Sequence, residues 1–546
     1  MYLRTTQRKN KDGSVASYYQ LAHNERHPAT KKSTARIIHS FGRADQLNRD
    51  ELVRLCRSIA RVCGVEVVDP LAEGNEKGGL PRDVSIVRTL EFGSVLVVET
   101  LWEQLGIGDM LRNLTKKKRV PYEKALLAMV ANRLCEPSSK LGVWDRWLEN
   151  VYLPGCEELK LRQMYEAMDM LHEHVEHIEK QIFNQVANLF NLSVDLIFYD
   201  TTTATFAVDY EDEDGPRRYG HSKEGVWAPQ VVVALAVTRE GIPVKSWVFP
   251  GNTADVSTVE TIKRDLRGWN LGRALFVADS GMNSEDNRKE LAKACGKYLL
   301  ATRMASVKEV KETVLSMPGR YKELADNLHA KEVQLTNGKR YIICYNPLEA
   351  ERQERHRAEI VAMLEEELKS HKDKKATNKW AIELLASRRY RRYLTITDRE
   401  TVKIDRQAIR DAAKYDGKWV IETNDETITL EDAAHGYRGL MVIERCFRSL
   451  KRTQIKMMPM YHWLSHRIEA HVKVCVLALL IERTAEIKCS RPWSKIRSVL
   501  RKMQATEFAT SGHHFFQLNE LPNEAKAILE KLAIPRPNKV FGVRAT

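Results

Sequence analysis

The sequence predicts a multidomain α/β chain. A mixed-sheet core is interrupted by a β-rich insertion and preceded by a β-meander and a helical domain. Three observations predict this. From residue 194, three consecutive strand-like runs lead into alternating helix and strand patterns, the mark of a mixed sheet with helices on its faces. Ahead of them, residues 84–193 carry helical spacing almost throughout. The 546 residues have room for three or four domains, and a 43% hydrophobic content supplies ordinary cores.

Residues 1–70 open the chain. YLRTTQRKN, ASYYQLAHN and STARIIHSFG alternate apolar and polar residues around a KDGS turn signal, which predicts a β-meander. DQLNRDELVRLCRSIARVC then has helical spacing. Residues 71–83 carry Gly, Pro and charge and predict a linker. Residues 84–193 form the helical domain, with KKKR at 116–119. It reads either as a DNA reader or as a packing domain.

Residues 194–304 form the first part of the core. LIFYDTTTATFAV, APQVVVALAVT and PVKSWVFPG predict three strands. A helix (DVSTVETIKRDLRGW), a strand (ALFVAD), a helix (SEDNRKELAKAC) and a strand (KYLLATRM) follow. The order β-β-β-α-β-α-β is that of a ribonuclease-H-like core. Residues 305–430 break the pattern with short strands and a highly charged helical excursion over 347–391. They predict a separate β-rich insertion. Residues 431–490 return to the core, and residues 491–546 predict one or two amphipathic helices and a basic tail.

The net charge of +14 favours a polyanionic partner, nucleic acid first, over a basic but uninvolved surface. The nine cysteines are dispersed without a C-x-x-C pair, which argues against a zinc ribbon and fits reduced thiols. The N-terminal residues lack an apolar signal region, and VCVLALLI at 474–481 is too short to span a bilayer. The expectation is a cytoplasmic protein without a membrane partner.

Asp200 and Asp279 each end an apolar strand-like run. Either carboxylate can face a metal there, or cap a turn. Glu444 lies in HGYRGLMVIERCFRSLK, predicted as one helix over 435–451. Tyr437, Glu444 and Lys451 are spaced seven apart and fall on one line of that helix, with Arg448 near it. Leu440, Ile443, Phe447 and Leu450 make an apolar stripe roughly 80° away, at about 100° per residue. Glu444 thus sits at the margin of the buried face, flanked by basic residues and a tyrosine suited to phosphate contacts. The alternative is an amphipathic helix with an ordinary Glu–Arg pair. Two strand-end carboxylates and one helical carboxylate are the hard oxygen donors that two-metal phosphoryl transfer uses. In YGHSKEG, His221 and Lys223 either approach the active-site face or belong to a solvated loop. PGNTAD at 250–255 reads as a turn and helix cap, with Thr253 or Asp255 as the cap.

The segments FYDTTTATF, GHSKEGVWAPQVVVALAVTREGIPVKSWVFPGNTAD, LFVADSGM, YDGKWVIETND and YRGLMVIERCFRSLK resemble the bacterial insertion-sequence transposases of the DDE type. More narrowly, the chain resembles a long-chain branch of the insertion-sequence-4 superfamily, which carries a β-rich insertion before its catalytic Glu. The resemblance implies that Asp200, Asp279 and Glu444 are the catalytic triad, binding two Mg²⁺ ions, with Mn²⁺ able to substitute. It also implies DNA partners (terminal inverted repeats and target), a homodimer on DNA, and a bacterial, nucleoid-associated location during activity.

The family signature Y-x2-R-x3-E-x6-K is matched by Tyr437, Glu444 and Lys451, the tyrosine and lysine being phosphate contacts. Its Arg position is Leu440 here. Arg438 lies two residues earlier, about 160° around a helix from position 440, and so is not a simple replacement. Similar enzymes cut one strand, form a hairpin at the element's end, reopen it and join the 3′-OH to target DNA. Hairpin formation implies an aromatic platform for a flipped base. Trp419 is the candidate, against the reading of a buried strand Trp. Two alternatives follow: a catalytically silent DNA-binding descendant, for which the altered Arg position speaks, and a repair nuclease, which leaves the insertion and the Tyr–Glu–Lys line unexplained.

Overall fold

The computed structural model describes all residues except 1, 11–14, 27–32, 48, 64–83, 190–194, 270, 272–273, 372, 511 and 546. The KDGS turn and the linker over 71–83 lie outside the described residues. The chain divides into two compact units, one of Met1–Ser85 with Ala509–His513, the other of Ile86–Phe508 and His514–Ala545.

In the first unit, β1 (Tyr2–Lys9), β2 (Val15–Arg26) and β3 (Ser33–Arg43) form an antiparallel sheet in sequence order, and a helix follows at Arg49–Cys63.

The second unit opens with β4 (Ser85–Glu91) and then helices, including Gly93–Gln104, Tyr122–Cys135 and Leu161–Glu173. They pack around the helix Ser465–Cys489, whose residues are buried on nearly every side. A helix buried on nearly every side belongs in a core, its few buried polar residues such as Glu482 and Lys473 being hydrogen-bonded, and VCVLALLI lies there. Among the described residues, no helix is long and apolar enough to cross a membrane.

The core strands are β5 (Leu196–Thr205), β6 (Arg218–His221), β7 (Trp227–Val237), β8 (Pro243–Pro250), β9 (Leu275–Ala278) and β10 (Lys297–Thr302). Strand β7 pairs antiparallel with β5 and β8, while β9 pairs parallel with β5 and β10. The order β8-β7-β5-β9-β10, with β7 reversed, is the ribonuclease-H-like order. Alternation along β5 sends Leu196 and Phe198 into one core and Ile197 and Tyr199 into the other. Both faces are therefore covered, which explains the unbroken apolar runs. Each fully buried Leu, Ile or Phe contributes roughly 1.5–3 kcal/mol.

The insertion departs from the expectation of a separate β-rich body. Its strands β11 (Lys322–Ala325), β12 (Leu328–Gln334) and β13 (Arg340–Tyr345) extend the core sheet. They do so through β16 (Lys418–Thr423), which pairs antiparallel with both β13 and β10. An exposed β10 would leave a row of unpaired backbone groups, and β16 covers it. The helical excursion, with helix Pro347–Ser370 and the small hairpin of β14 (Leu394–Ile396) and β15 (Val402–Ile404), has its own apolar cluster, and a second cluster packs Val310 and Val314 against Val333, Tyr341 and Ile343 of the extended sheet.

The C-terminal residues hold more than the expected helices. Besides Trp493–Leu500 and Asn523–Lys531, they supply β17 (Gln504–Ala509), β18 (His513–Leu518) and β19 (Val540–Ala545), which join β4 in a four-stranded sheet. The aromatics of HHFFQL and VFGVRA face one another there, with Phe516 stacked on Phe541. The expected basic tail is thus partly strand.

Candidate active site

Strands β5 and β9 run side by side with Tyr199 opposite Ala278, so Asp200, in the middle of β5, lies level with Asp279, which follows the last residue of β9. Both follow residues of the same core, Phe198 and Val277. By alternation they face the same side of the sheet. Asp200 is half-buried and Asp279 exposed. The Thr201 backbone N–H donates to Asp200 Oδ1 at 2.7 Å.

The helix predicted over 435–451 is segmented. One helix spans Leu430–Arg438 and another Met441–Arg448, followed by a π-helical turn at Ser449–Thr453. At the joint, Leu440 N donates to Tyr437 O and Val442 N to Gly439 O, which tightens the turn. Gly439 is required by packing, since a Cβ there would lie 2.5 Å from Phe198 Cζ. The apolar stripe of Leu440, Ile443, Phe447 and Leu450 is buried against the core. Glu444 stays exposed at its margin.

Tyr437 links helix to sheet. Its phenol donates to Asp279 Oδ1 at 3.2 Å. Burial pushes the phenol's pKa upward, and the charges of Asp279, Glu444 and Asp200 push it the same way. Three carboxylates thus act on one phenol. Burial also raises Asp200, to about 6; Thr201 N–H and Lys223 oppose this, and Asp255 and Asp279 add to it.

Asp255 was expected only as a helix cap. It begins the 3-10 turn Asp255–Thr258, whose cap position is Ala254, and no side chain caps it. Its carboxylate instead accepts from Thr201 Oγ1 at 2.5 Å and from Lys223 Nζ at 2.6 Å. It is a fourth acid beside Asp200. The motif PGNTAD carries a loop signal strong enough to hide this role, and the only hint is its distance of a few residues from a core strand end.

Lys223 therefore reaches the carboxylate cluster, and its backbone N–H also donates to Thr203 Oγ1 on β5. His221 does not join them. It is exposed on β6 with its ring edge-on to Trp227 at 4.8 Å. Lys451 is buried, bonding Thr202 Oγ1 at 3.1 Å and pairing with Glu224. Arg438 is exposed, and Leu440 occupies the core. Arg448 lines a groove of about 500 Å³ with Arg445, Arg483 and Glu482. Trp419 lies on β16, two strands from β9, and packs on the same core as Phe198 and Val277. Its indole N–H has no acceptor among the described residues.

All acids at this end of the sheet offer hard oxygen donors, which suit Mg²⁺ or Mn²⁺ rather than softer ions. The upward push on Asp200 by its acidic neighbours is a charge imbalance that a cation offsets. Among the described residues, no group of three His, Cys, Asp or Glu is gathered closely enough to enclose a metal. The donors fit a hard cation by chemistry.

The N-terminal domain family of IS1634 family transposases matches residues 3–69, and the transposase DDE domain family matches residues 195–479. No curated protein matches. Among solved structures, a piggyBac transposase synaptic complex with hairpin DNA is similar at 9% identity and a TM-score of 0.34, covering 75% of this chain and 79% of that one. A Mos1 transposase paired-end complex with the left transposon end shows 14% identity and a TM-score of 0.14, covering 45% and 66%. Those scores add nothing to the strand order read from the sheet itself. The DDE domain match spans more than half of the residues, and the chain belongs to the DDE transposases of insertion sequences.

Proposed function

We propose that this transposase binds the terminal inverted repeats of its element and catalyses metal-dependent strand cleavage and strand transfer, by a cut-and-paste route through hairpin ends. We place it in the insertion-sequence-4 superfamily. The observation that supports the site assignment is the register that sets Asp200 on β5 level with Asp279 after β9, with Tyr437, on the helical segment leading to Glu444, donating to Asp279. Those three carboxylates would hold two Mg²⁺ ions, with Mn²⁺ able to substitute. When bound, the ions supply Lewis-acid activation of a water or a 3′-OH and stabilise the leaving oxygen.

The chain's own residues orient and hold. Tyr437 restrains Asp279 through its hydrogen bond. Asp255 ties Lys223 to Thr201 beside Asp200. Lys451, Arg438, Arg448 and His221 are proposed DNA contacts, with Lys451 exchanging Glu224 for a phosphate. Trp419, with its unpaired indole N–H, is the proposed platform for a flipped base. Joining two ends calls for a homodimer on DNA, working in the bacterial cytoplasm at the nucleoid.

The catalytically silent reading has one support, the burial of Leu440 where the signature has an arginine. A labelled duplex carrying the element's end, with and without Mg²⁺, separates the two. The proposal expects metal-dependent cutting at the element's edge that Glu444→Ala abolishes while binding persists. Binding without cutting by the unaltered protein would establish the silent reading instead.

A further inference from the structure

A cavity of about 250 Å³ lies away from the carboxylates, lined by Arg133, Lys140, His462, His471, Lys456 and Tyr461 among others. Arg133 comes from the helix Tyr122–Cys135 and His471 from the helix Ser465–Cys489. Lys140 and Arg133 are only 4% and 6% exposed. Buried cations are normally paired with acids. Among the described residues, neither has a salt bridge. Arg133 donates only to backbone carbonyls, those of Ile455, Lys456 and Ser138.

Lys140 Nζ donates to His471 Nδ1 at 2.8 Å. His471 then carries its proton on Nε2, which donates to Met457 O at 3.1 Å. An ammonium has three donors, so two N–H groups of Lys140 lack a protein acceptor among the described residues. Burial, and after it repulsion from Arg133, lowers Lys140 to about 7. His462 falls to about 3 by burial, with Lys140 next. The cluster lacks an anion.

The cavity's position says which anion. Met460 N donates to Thr205 O at the end of β5, the strand that carries Asp200. Five residues of strand are about 17 Å, roughly five base steps along a DNA axis. Next to the cavity, Tyr461 and Trp463 are 64% and 60% exposed. Cationic grooves with exposed aromatic faces suit nucleic-acid strands, the phosphate taking the charge and the base the ring.

We propose that this cavity seats a backbone phosphate of bound DNA, with Lys140 as its buried charged donor and Tyr461 at its rim. The proposal rests on the transposase acting on DNA as described above.

The test is duplex binding by the full-length protein, followed by fluorescence anisotropy across a KCl series, with Lys140→Met and Lys456→Gln. Lys140→Met keeps the apolar volume. It is expected to bind DNA about tenfold more weakly, the scale of a lost charged hydrogen bond. Its plot of log affinity against log salt should be shallower by about one unit. In chloride buffer it should melt at a higher temperature, because an unpaired buried ammonium is gone. A lysine with a merely structural role would lower the melting temperature instead. Lys456→Gln, at an exposed position, should also flatten the salt slope and covers the case of a Lys140 variant that does not fold.

Unchanged affinity and slope in both variants would overturn the proposal. A parallel melt in inorganic phosphate, against chloride at equal ionic strength, separates the sources. Stabilisation by phosphate that Lys140→Met abolishes, without any loss of DNA affinity, would assign the cavity to a free anion and overturn the DNA assignment. If the unaltered protein does not bind the duplex, the DNA reading fails and this proposal fails with it.

Discussion

Asp255 illustrates what one residue's neighbours add to its sequence context. In PGNTAD it is indistinguishable from a helix cap, yet its carboxylate is held by Thr201 and Lys223 next to Asp200. It acts by positioning these groups. Asp255→Asn should slow cleavage roughly 10–100-fold, the usual cost of losing a group that orients a metal ligand, with end binding nearly intact by gel shift. A variant as fast as the unaltered protein would remove Asp255 from the site. Asp200 and Asp279 could be singled out because each ends an apolar run, but β5 runs on past Asp200 to Thr205, because the polar TTT segment continues the strand that the apolar run begins. The bond from Tyr437 to Asp279 was not readable, because it joins elements separated by the whole insertion. The seven-residue spacing did place Tyr437 and Glu444 on one side of their helical segment.

At the scale of elements, the helical segment that carries Glu444 is tightened at Gly439 and widened at Ser449–Thr453. Periodicity alone reads it as one helix, because the apolar stripe of Leu440, Ile443, Phe447 and Leu450 stays buried across both distortions. Gly439→Ala should cost roughly 1–3 kcal/mol by overpacking against Phe198, read as a lower urea midpoint, and should slow cleavage by moving Glu444. An unchanged midpoint would show that the ring yields freely. The central helix Ser465–Cys489 contains Glu482, 4% exposed, which accepts from Ser449 Oγ at 2.5 Å. Burial raises its pKa to about 7. A raised carboxyl contributes stability that is complete below its unfolded value near pH 4 and is lost as pH rises through about 7. Glu482→Gln should therefore melt above the unaltered protein at pH 8.5, by up to about 3 kcal/mol, with the difference vanishing near pH 4.5. An equal difference at both pH values would contradict the burial argument.

For the whole molecule, the alternation of strands and helices over 194–304 was legible because each strand's neighbours follow it closely in the chain. The continuation of the sheet through β16 and β13 was not, since period-two alternation encodes a face and not a partner. The pairing of β4 with β17, more than four hundred residues later, was hidden for the same reason. The charge of +14 belongs to this scale as well. Affinity for duplex DNA should fall linearly in log salt, with a slope near −0.9 for each phosphate neutralised; a slope near zero would show that the basic surface does not meet DNA. The proposed role of Asp200, Asp279 and Glu444 as metal ligands is tested most directly by a change of ligand softness. Asp279→Cys replaces a hard oxygen with a thiolate, which Mg²⁺ rejects and Mn²⁺ accepts better. The account predicts an enzyme that fails to cleave element ends in Mg²⁺ and regains cleavage in Mn²⁺. Equal cleavage by the variant and the unaltered protein in Mg²⁺ would contradict it.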